Sequence, residues 1–395
     1  MGRLRTIDDL SDLDGRRVLV RADFNVPLED GKVGDDLRIT ATLPTIKELR
    51  GRGAALVLAT HLGRPRGKPI DELRLDPVAA RLEEVGGFSV RKLDEVIGPE
   101  VTRACAGMGR GDVILLENLR FDPGEEANDP DFAAALAALA DAYIDDAFGA
   151  AHRPHASVTG VAERLPSAAG LLMHREVEVL SRLLVGPEKP FVAILGGAKV
   201  SDKLGVVQSL LERVDGILVG GAMAFTFIAS RGGRVGDSLI EAEQLDQVRE
   251  TLAAADAAGV RVMLPQDVVA AEEATETAHP QTVLAHEIPD GLRGLDVGPA
   301  TVREFARALE GARTVFWNGP MGVFELEPFS KGTRAVAKAV ATIDAFTVVG
   351  GGDSVAAIRA LGFDRAVDHL STGGGASLEF LEGRDLPGIA VLRES

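Results

Sequence analysis

Phe191-Val192-Ala193-Ile194-Leu195 followed by Gly196-Gly197-Ala198-Lys199-Val200-Ser201-Asp202-Lys203 is the stretch that decides the fold. Five consecutive apolar residues leave no polar face for solvent, so the run reads as a central strand of a parallel sheet covered on both sides. The glycines and lysines at its end read as a turn into a helix, with Lys199 and Lys203, four apart, on one helix face. Outward from it the same grammar repeats. Earlier in the chain the apolar runs are 18–20, 55–58, 113–116 and 143–144, and later ones are 216–219, 260–264, 314–317 and 346–349. Alternation with amphipathic stretches predicts crossover helices between parallel strands. The alanine-rich 132–142 is one such helical stretch.

The strand ends carry the chemistry. Parallel α/β sheets bind ligands beyond the carboxyl ends of their strands. The early runs lead to Asp23 and Asn25, to His61 and Arg64, to Asn118 and Arg120, and to Asp145 and Asp146. The later ones lead to Gly196 and Lys199, to Gly220 and Gly221, to Asn318-Gly319-Pro320, and to Gly350-Gly351-Gly352-Asp353-Ser354. Two α/β domains follow, their binding edges expected to face one cleft, with the boundary near 165–188. There Leu171–Leu184 reads as one amphipathic helix ended by Gly186-Pro187.

Composition narrows the partners. Lys plus Arg total 43 against 60 Asp plus Glu, a net charge of −17, which argues against nucleic acid or an anionic membrane surface. The start has no apolar signal segment, and 216–229 is too short and glycine-rich to span a bilayer. The single cysteine, Cys105, forms no intrachain disulfide and suits a reducing compartment. A cytoplasmic protein acting on small molecules is expected.

The two halves differ in kind. Arg38, Arg64, Arg120 and Arg153, with His61, lie in or just after the early loops. Each alone reads as a solvated surface charge, but together they suit a small polyanion, because the guanidinium fork pairs with phosphate or carboxylate at about 1.5–3 kcal/mol per charge-assisted bond. Asp23 and Asn25 would accept from a substrate hydroxyl. His61 has no Ser or Cys nucleophile pattern beside it, which favours a hydrogen-bonding role over that of a base. Pro154 holds Arg153 in extended backbone. In the second half, three glycine-rich junctions (196–197, 350–352 and 373–375) plus two lysines favour phosphate binding, and Asp353 is a carboxylate suited to Mg2+. There is no Walker A loop, no protein-kinase set and no Gly-x-Gly-x-x-Gly, which sets a dinucleotide dehydrogenase aside. A non-catalytic nucleotide-binding scaffold on the same fold is the remaining rival.

Taken in order, Arg21–Pro27, His61–Pro65, Glu117–Phe121, Asp146–Arg153, Gly196–Lys203, Trp317–Glu325, Gly350–Ser354 and Ser371–Gly375 resemble the phosphoglycerate kinase family nearly end to end. Met321, Ser354 and Pro154 depart mildly, where valine, threonine and alanine are commoner. The resemblance implies two Rossmann-like domains with parallel sheets and a connecting helix: 1–170 for phosphoglycerate, 171–375 for nucleotide with 171–185 as the hinge, and 376–395 returning to the first. It implies reversible phosphoryl transfer between 1,3-bisphosphoglycerate and ADP, giving 3-phosphoglycerate and ATP, with hinge closure of a monomer. It further implies that Asp23, Asn25, Arg38, His61, Leu62, Gly63, Arg64, Arg120 and Arg153 bind phosphoglycerate. Arg38, Lys199, Lys203 and the turn at Gly374 are implied to meet the moving phosphoryl. Lys203, Gly220, Gly221, Gly294, Asn318, Glu325, Gly351, Gly352, Asp353 and Ser354 are implied to hold the nucleotide, with Asp353 on Mg2+.

Overall fold

In the computed structural model, which describes residues 2–394, the apolar runs become two parallel sheets. The chain divides into two units: the residues up to Glu178 together with those from Asp385 onward, and Val179–Arg384. The structure thus groups Ala376–Arg384 with the second unit, and the return to the first begins at Asp385.

Strands Arg17–Arg21 (β1), Ala55–Ala59 (β2), Arg91–Lys92 (β3), Val113–Leu115 (β4), Ala142–Asp145 (β5) and Ser167–Ala169 (β6) form the first sheet, in the order β3-β4-β2-β1-β5-β6. β1 sits in the middle, Val18 opposite Leu56 on one side and Ala142 on the other. Helices Leu37–Gly51 (α1), Asp76–Gly86 (α2), Pro99–Ala106 (α3), Pro123–Ala127 (α4) and Pro130–Ala137 (α5) make the crossovers. Val18, Val20, Leu56 and Leu58 are buried with Ile39 and Ile46 of α1 in one core. Each such side chain contributes about 1.5–3 kcal/mol of burial free energy. Cys105 on α3 is fully buried. The helix expected over 132–142 stops at Ala137, because Ala142 is already the first residue of β5.

Helix Leu171–Leu184 (α6) has the bounds read from the sequence. Its amino end is satisfied from within the first unit. Asp146 Oδ1 accepts from the amides of Leu172 at 2.9 Å and Met173 at 3.2 Å, and Thr45 Oγ1 accepts from Leu171 N at 3.0 Å. At its other end Arg213 Nε donates to the Leu184 carbonyl at 3.0 Å.

The second sheet is built from Phe191–Leu195 (β7), Gly216–Val219 (β8), Arg261–Met263 (β9), Thr314–Asn318 (β13), Phe346–Gly350 (β14) and His369–Leu370 (β15). Their order is β9-β8-β7-β13-β14-β15. Between β9 and β13 an antiparallel sheet of Asp267–Ala271 (β10), Gln281–Leu284 (β11) and Arg293–Val297 (β12) intervenes, a feature the apolar-run reading does not contain. Helices Leu204–Leu210 (α7), Met223–Ser230 (α8), Leu245–Ala257 (α9), Pro299–Leu309 (α10), Lys331–Thr342 (α11), Gly352–Ala360 (α12) and Gly375–Leu381 (α13) complete the unit. In both sheets the chain first builds away to one side of the leading strand and then returns to its other side. The crevice at the strands' carboxyl ends therefore opens beside β1 and β5 in one unit and beside β7 and β13 in the other.

Candidate active site

In the first unit the crevice is lined by side chains. Arg38, in the first turn of α1 just after a loop, donates to the Asn25 carbonyl at 2.9 Å and lies 3.4 Å from Asp23 Oδ2. Asn25 Oδ1 accepts from Gly63 N at 2.9 Å, so the β1 and β2 loops are tied together. Leu62 is held by Asn118, which accepts from its amide at 3.2 Å and donates to its carbonyl at 2.8 Å. Arg120 reaches the Gly63 carbonyl at 2.7 Å. Its Nε lies 3.2 Å from Glu126 Oε1 without hydrogen-bond geometry, and burial, then Arg153, push its pKa down to about 10. Arg153 Nε donates to His152 Nε2 at 2.9 Å, and Arg64 stands exposed on the same His61–Arg64 loop.

His61 is buried among these cations. Burial first, then Arg21, Arg120, Arg38 and Arg153, hold its pKa well below the ordinary imidazole value, so the ring is neutral. Its Nδ1 lies 3.1 Å from Arg21 Nη2, and since a guanidinium only donates, Nδ1 is the acceptor and the proton sits on Nε2. This agrees with a hydrogen-bonding role. Arg21 is a site residue that the sequence reading passed over. Its signal was visible, a charge closing the run Val18-Leu19-Val20, yet the side chain is only 1% exposed and is placed by the fold.

In the second unit the crevice is lined mainly by backbone. Two cavities adjoin. One of 460 Å3 has an apolar wall of Phe225, Val268 and Met321, with Gly221, Gly294 and the exposed Glu325 also lining it. The other, of 350 Å3, gathers Lys199, Lys203, Asn318, Gly351, Gly352 and Gly374. Gly197, Ala198 and Asp353 belong to both. A flat apolar slot running into a cationic, glycine-walled one suits a base at one end and phosphates at the other. Gly294 is where a Cβ would fall 2.1 Å from the Phe225 ring, so only glycine lets that wall close. Gly319 has φ +95° and a Cβ there would lie 2.2 Å from the Gly196 carbonyl oxygen, which fixes the approach of the β7 and β13 loops. Gly220 is buried beneath Met321.

Lys203 is half-buried, its pKa lowered by burial, and its Nζ donates to Asn318 Oδ1 at 2.7 Å. Asn318 Nδ2 is buried with no hydrogen-bond partner among the described residues, an amide donor at the cavity. Ser354 lines the same cavity, but its hydroxyl oxygen accepts from Gly319 N. The shared helix face expected for the two lysines is not formed. Helix α7 begins at Leu204, so Lys203 caps it and Lys199 lies in the exposed loop before it. The Glu241 carboxylate accepts from Val200 N at 2.5 Å, Ser201 N at 3.0 Å and Ser201 Oγ at 2.6 Å, tying that loop down. Glu241 stands forty residues downstream of Ser201, and nothing in its own neighbourhood announces the contact.

Comparison with known proteins agrees with this geometry. The family model described as phosphoglycerate kinase matches residues 7–384. A curated phosphoglycerate kinase of Moorella thermoacetica is 56% identical over 98% of this chain and 99% of its own, and one of Rubrobacter xylanophilus is 58% identical over 99% and 98%. The solved phosphoglycerate kinase of Coxiella burnetii superposes with a TM-score of 0.86 at 40% identity, covering 99% of both chains. With a family match along nearly its whole length, two parallel six-stranded sheets and both binding crevices in place, the chain belongs to the phosphoglycerate kinase family.

Proposed function

We propose that this chain performs the family's reaction with the two clusters above as its two binding halves. The bond from phosphorus to the carboxyl oxygen of 1,3-bisphosphoglycerate breaks, and one to the terminal phosphate oxygen of ADP forms, giving 3-phosphoglycerate and ATP. Such transfer needs little covalent work from protein, chiefly in-line positioning and charge where the transition state develops it. Arg64, Arg120 and Arg153 grip the phosphate and carboxylate ends of phosphoglycerate. Asp23 and Asn25 fix its hydroxyl, His61 donates from Nε2, and Leu62 and Gly63 shape the loop. The apolar cavity takes adenine between Gly221, Gly294 and Phe225, with Gly220 supporting that wall through Met321 and Glu325 at the ribose. Lys203, Asn318 and the loops at Gly351, Gly352 and Ser354 take the phosphates. Arg38 from one unit, with Lys199, Lys203 and the Gly374 turn from the other, stabilise the moving phosphoryl, which requires the units to close in each turnover.

Asp353 fits Mg2+: it is a hard oxygen donor that lines both cavities. A cation held there by one carboxylate would complete its shell with phosphate oxygens and water, and when bound it supplies neutralisation of the phosphate charge. No described helix is long and apolar enough to cross a membrane. We place the enzyme in the cytoplasm as a monomer acting on small molecules.

The observation that carries this reading is the Lys203–Asn318 contact within the glycine-walled cavity of the second unit, which shares Asp353 with the apolar one. The test is ATP consumption with 3-phosphoglycerate and Mg2+, coupled to glyceraldehyde-phosphate dehydrogenase. Turnover in the parent should fall by about 100-fold or more in both Arg38→Ala and Lys203→Ala. A folded, Mg2+-supplied parent without turnover would leave only nucleotide binding.

A further inference from the structure

Behind the β1 crevice lies a buried polar chain that touches no cavity described above. Glu125, on α4, is fully buried. Its Oε2 accepts from Ser157 N at 2.9 Å and its Oε1 from Ser157 Oγ at 2.6 Å. Burial opposes its charge, but His155, Arg21 and Ser157 together keep its pKa below the usual carboxylate value. With its one proton given to Glu125, the Ser157 hydroxyl has a lone pair to offer, and Arg21 Nε donates to it at 2.9 Å. Arg21 Nη1 is tied to the Ala22 carbonyl at 2.5 Å, and Nη2 meets His61 Nδ1 at 3.1 Å. Every direction in this chain is fixed, and Arg21 donates to both sides of it. Glu125 can only accept, so Ser157 must give its proton there, Arg21 must give to Ser157, and the guanidinium fork then delivers its other edge to His61.

We infer that Glu125 and Ser157 are positioning residues that, through Arg21, fix the proton of His61 on Nε2 for phosphoglycerate. The inference rests on the assignment of His61 to phosphoglycerate made above. Its physical content is the choice between two neutral rings. A free imidazole exchanges between its tautomers, and a ring with Nδ1 protonated would present an acceptor where an anionic substrate needs a donor. Holding Arg21 at Nδ1 removes that alternative and keeps one fixed donor amid Arg38, Arg120 and Arg153. Asp145 stands opposite Arg21 in the register of β1 and β5.

The tautomer can be read directly by long-range 1H–15N correlation on protein labelled at histidine, with the His61 signals assigned by their loss in His61→Gln. The parent should show a pyridine-type Nδ1 and a pyrrole-type Nε2. Ser157→Ala should average or reverse that pattern and raise KM for 3-phosphoglycerate about tenfold, the scale of one lost bond to a charged group, while KM for ATP stays within about twofold. Ser157→Thr, which keeps the hydroxyl, should restore both readouts. Glu125→Gln should shift them in the same direction by less, and serves where Ser157→Ala folds poorly. A pyrrole-type Nδ1 in the parent, or an unchanged pattern in folded Ser157→Ala, would overturn the inference. A changed pattern with unchanged KM would keep the Glu125–Ser157–Arg21 chain but remove His61 from phosphoglycerate binding, and with it the positioning role.

Discussion

The two units use one topology for opposite styles of recognition. Around β1 and β5 the groups proposed to meet ligand are long side chains, Arg38, Arg64, Arg120 and Arg153 with His61, set on loops tied by Asp23, Asn25 and Asn118. Around β7 and β13 they are glycine backbone with two lysines, and the geometry is set by how closely chains can approach, as at Gly319 against Gly196. A compact substrate with charge at both ends is best held by many directed forks. A nucleotide offers a flat base and a string of phosphates, which a slot and a bare loop accept. The same sheet therefore tolerates different errors in its two copies: side-chain chemistry matters most in one, backbone volume in the other.

That contrast can be broken, most sharply at Gly319. Gly319→Ala adds a Cβ 2.2 Å from a carbonyl oxygen at φ +95°. It should destabilise the second unit by about 3 kcal/mol or more and abolish ATP binding in calorimetry. A nucleotide affinity close to the parent's would show that backbone approach is not what builds this crevice. Next comes Arg120→Lys, which keeps the charge and loses the fork. KM for 3-phosphoglycerate should rise about tenfold with KM for ATP unmoved, and equal changes in both would erase the division of labour.

A third prediction separates the units by pH. Asp146, fully buried at the amino end of α6, has a pKa raised from 3.8 to about 7, chiefly by burial. The folded state therefore binds more protons than the unfolded one between these values. This contribution to stability is present below pH 4 and is lost as pH rises through 7. Asp146→Asn should flatten the fall in melting temperature over that window, and identical slopes in parent and variant would count against it. The smallest effect is expected at Arg182, whose guanidinium lies 3.9 Å above the Phe346 ring. Arg182→Ala should cost about 0.5–1 kcal/mol in urea unfolding, with both KM values unchanged.

What was legible in the sequence follows from where burial acts. Strands such as Phe191–Leu195 are covered on both faces, so every residue reports it, and the polar residues after them mark the crevices. Arg91–Lys92, Ser167–Ala169 and His369–Leu370 are short strands at or near the sheet edges with no apolar run to betray them, and Gln281–Leu284 is mostly exposed. The loop before α7 was misread because the four-residue spacing of Lys199 and Lys203 is a local signal that does not say where a helix starts, and the Glu241 carboxylate that ties the loop is distant in sequence. Arg21 left a signal, a charge closing an apolar run, but its contact with Ser157, and that of Ser157 with Glu125, did not, since these groups acquire direction only when the fold removes water from between them.

Cys105 has a practical consequence. The chain's one thiol is fully buried on α3, and burial raises its pKa, so little thiolate is available to oxidants or alkylating reagents. Maleimide dyes should pass the native protein by. A cysteine introduced at an exposed position of each unit would then carry the whole label, so that energy transfer between the two dyes, recorded with each ligand alone and with both, tests directly the closure proposed above.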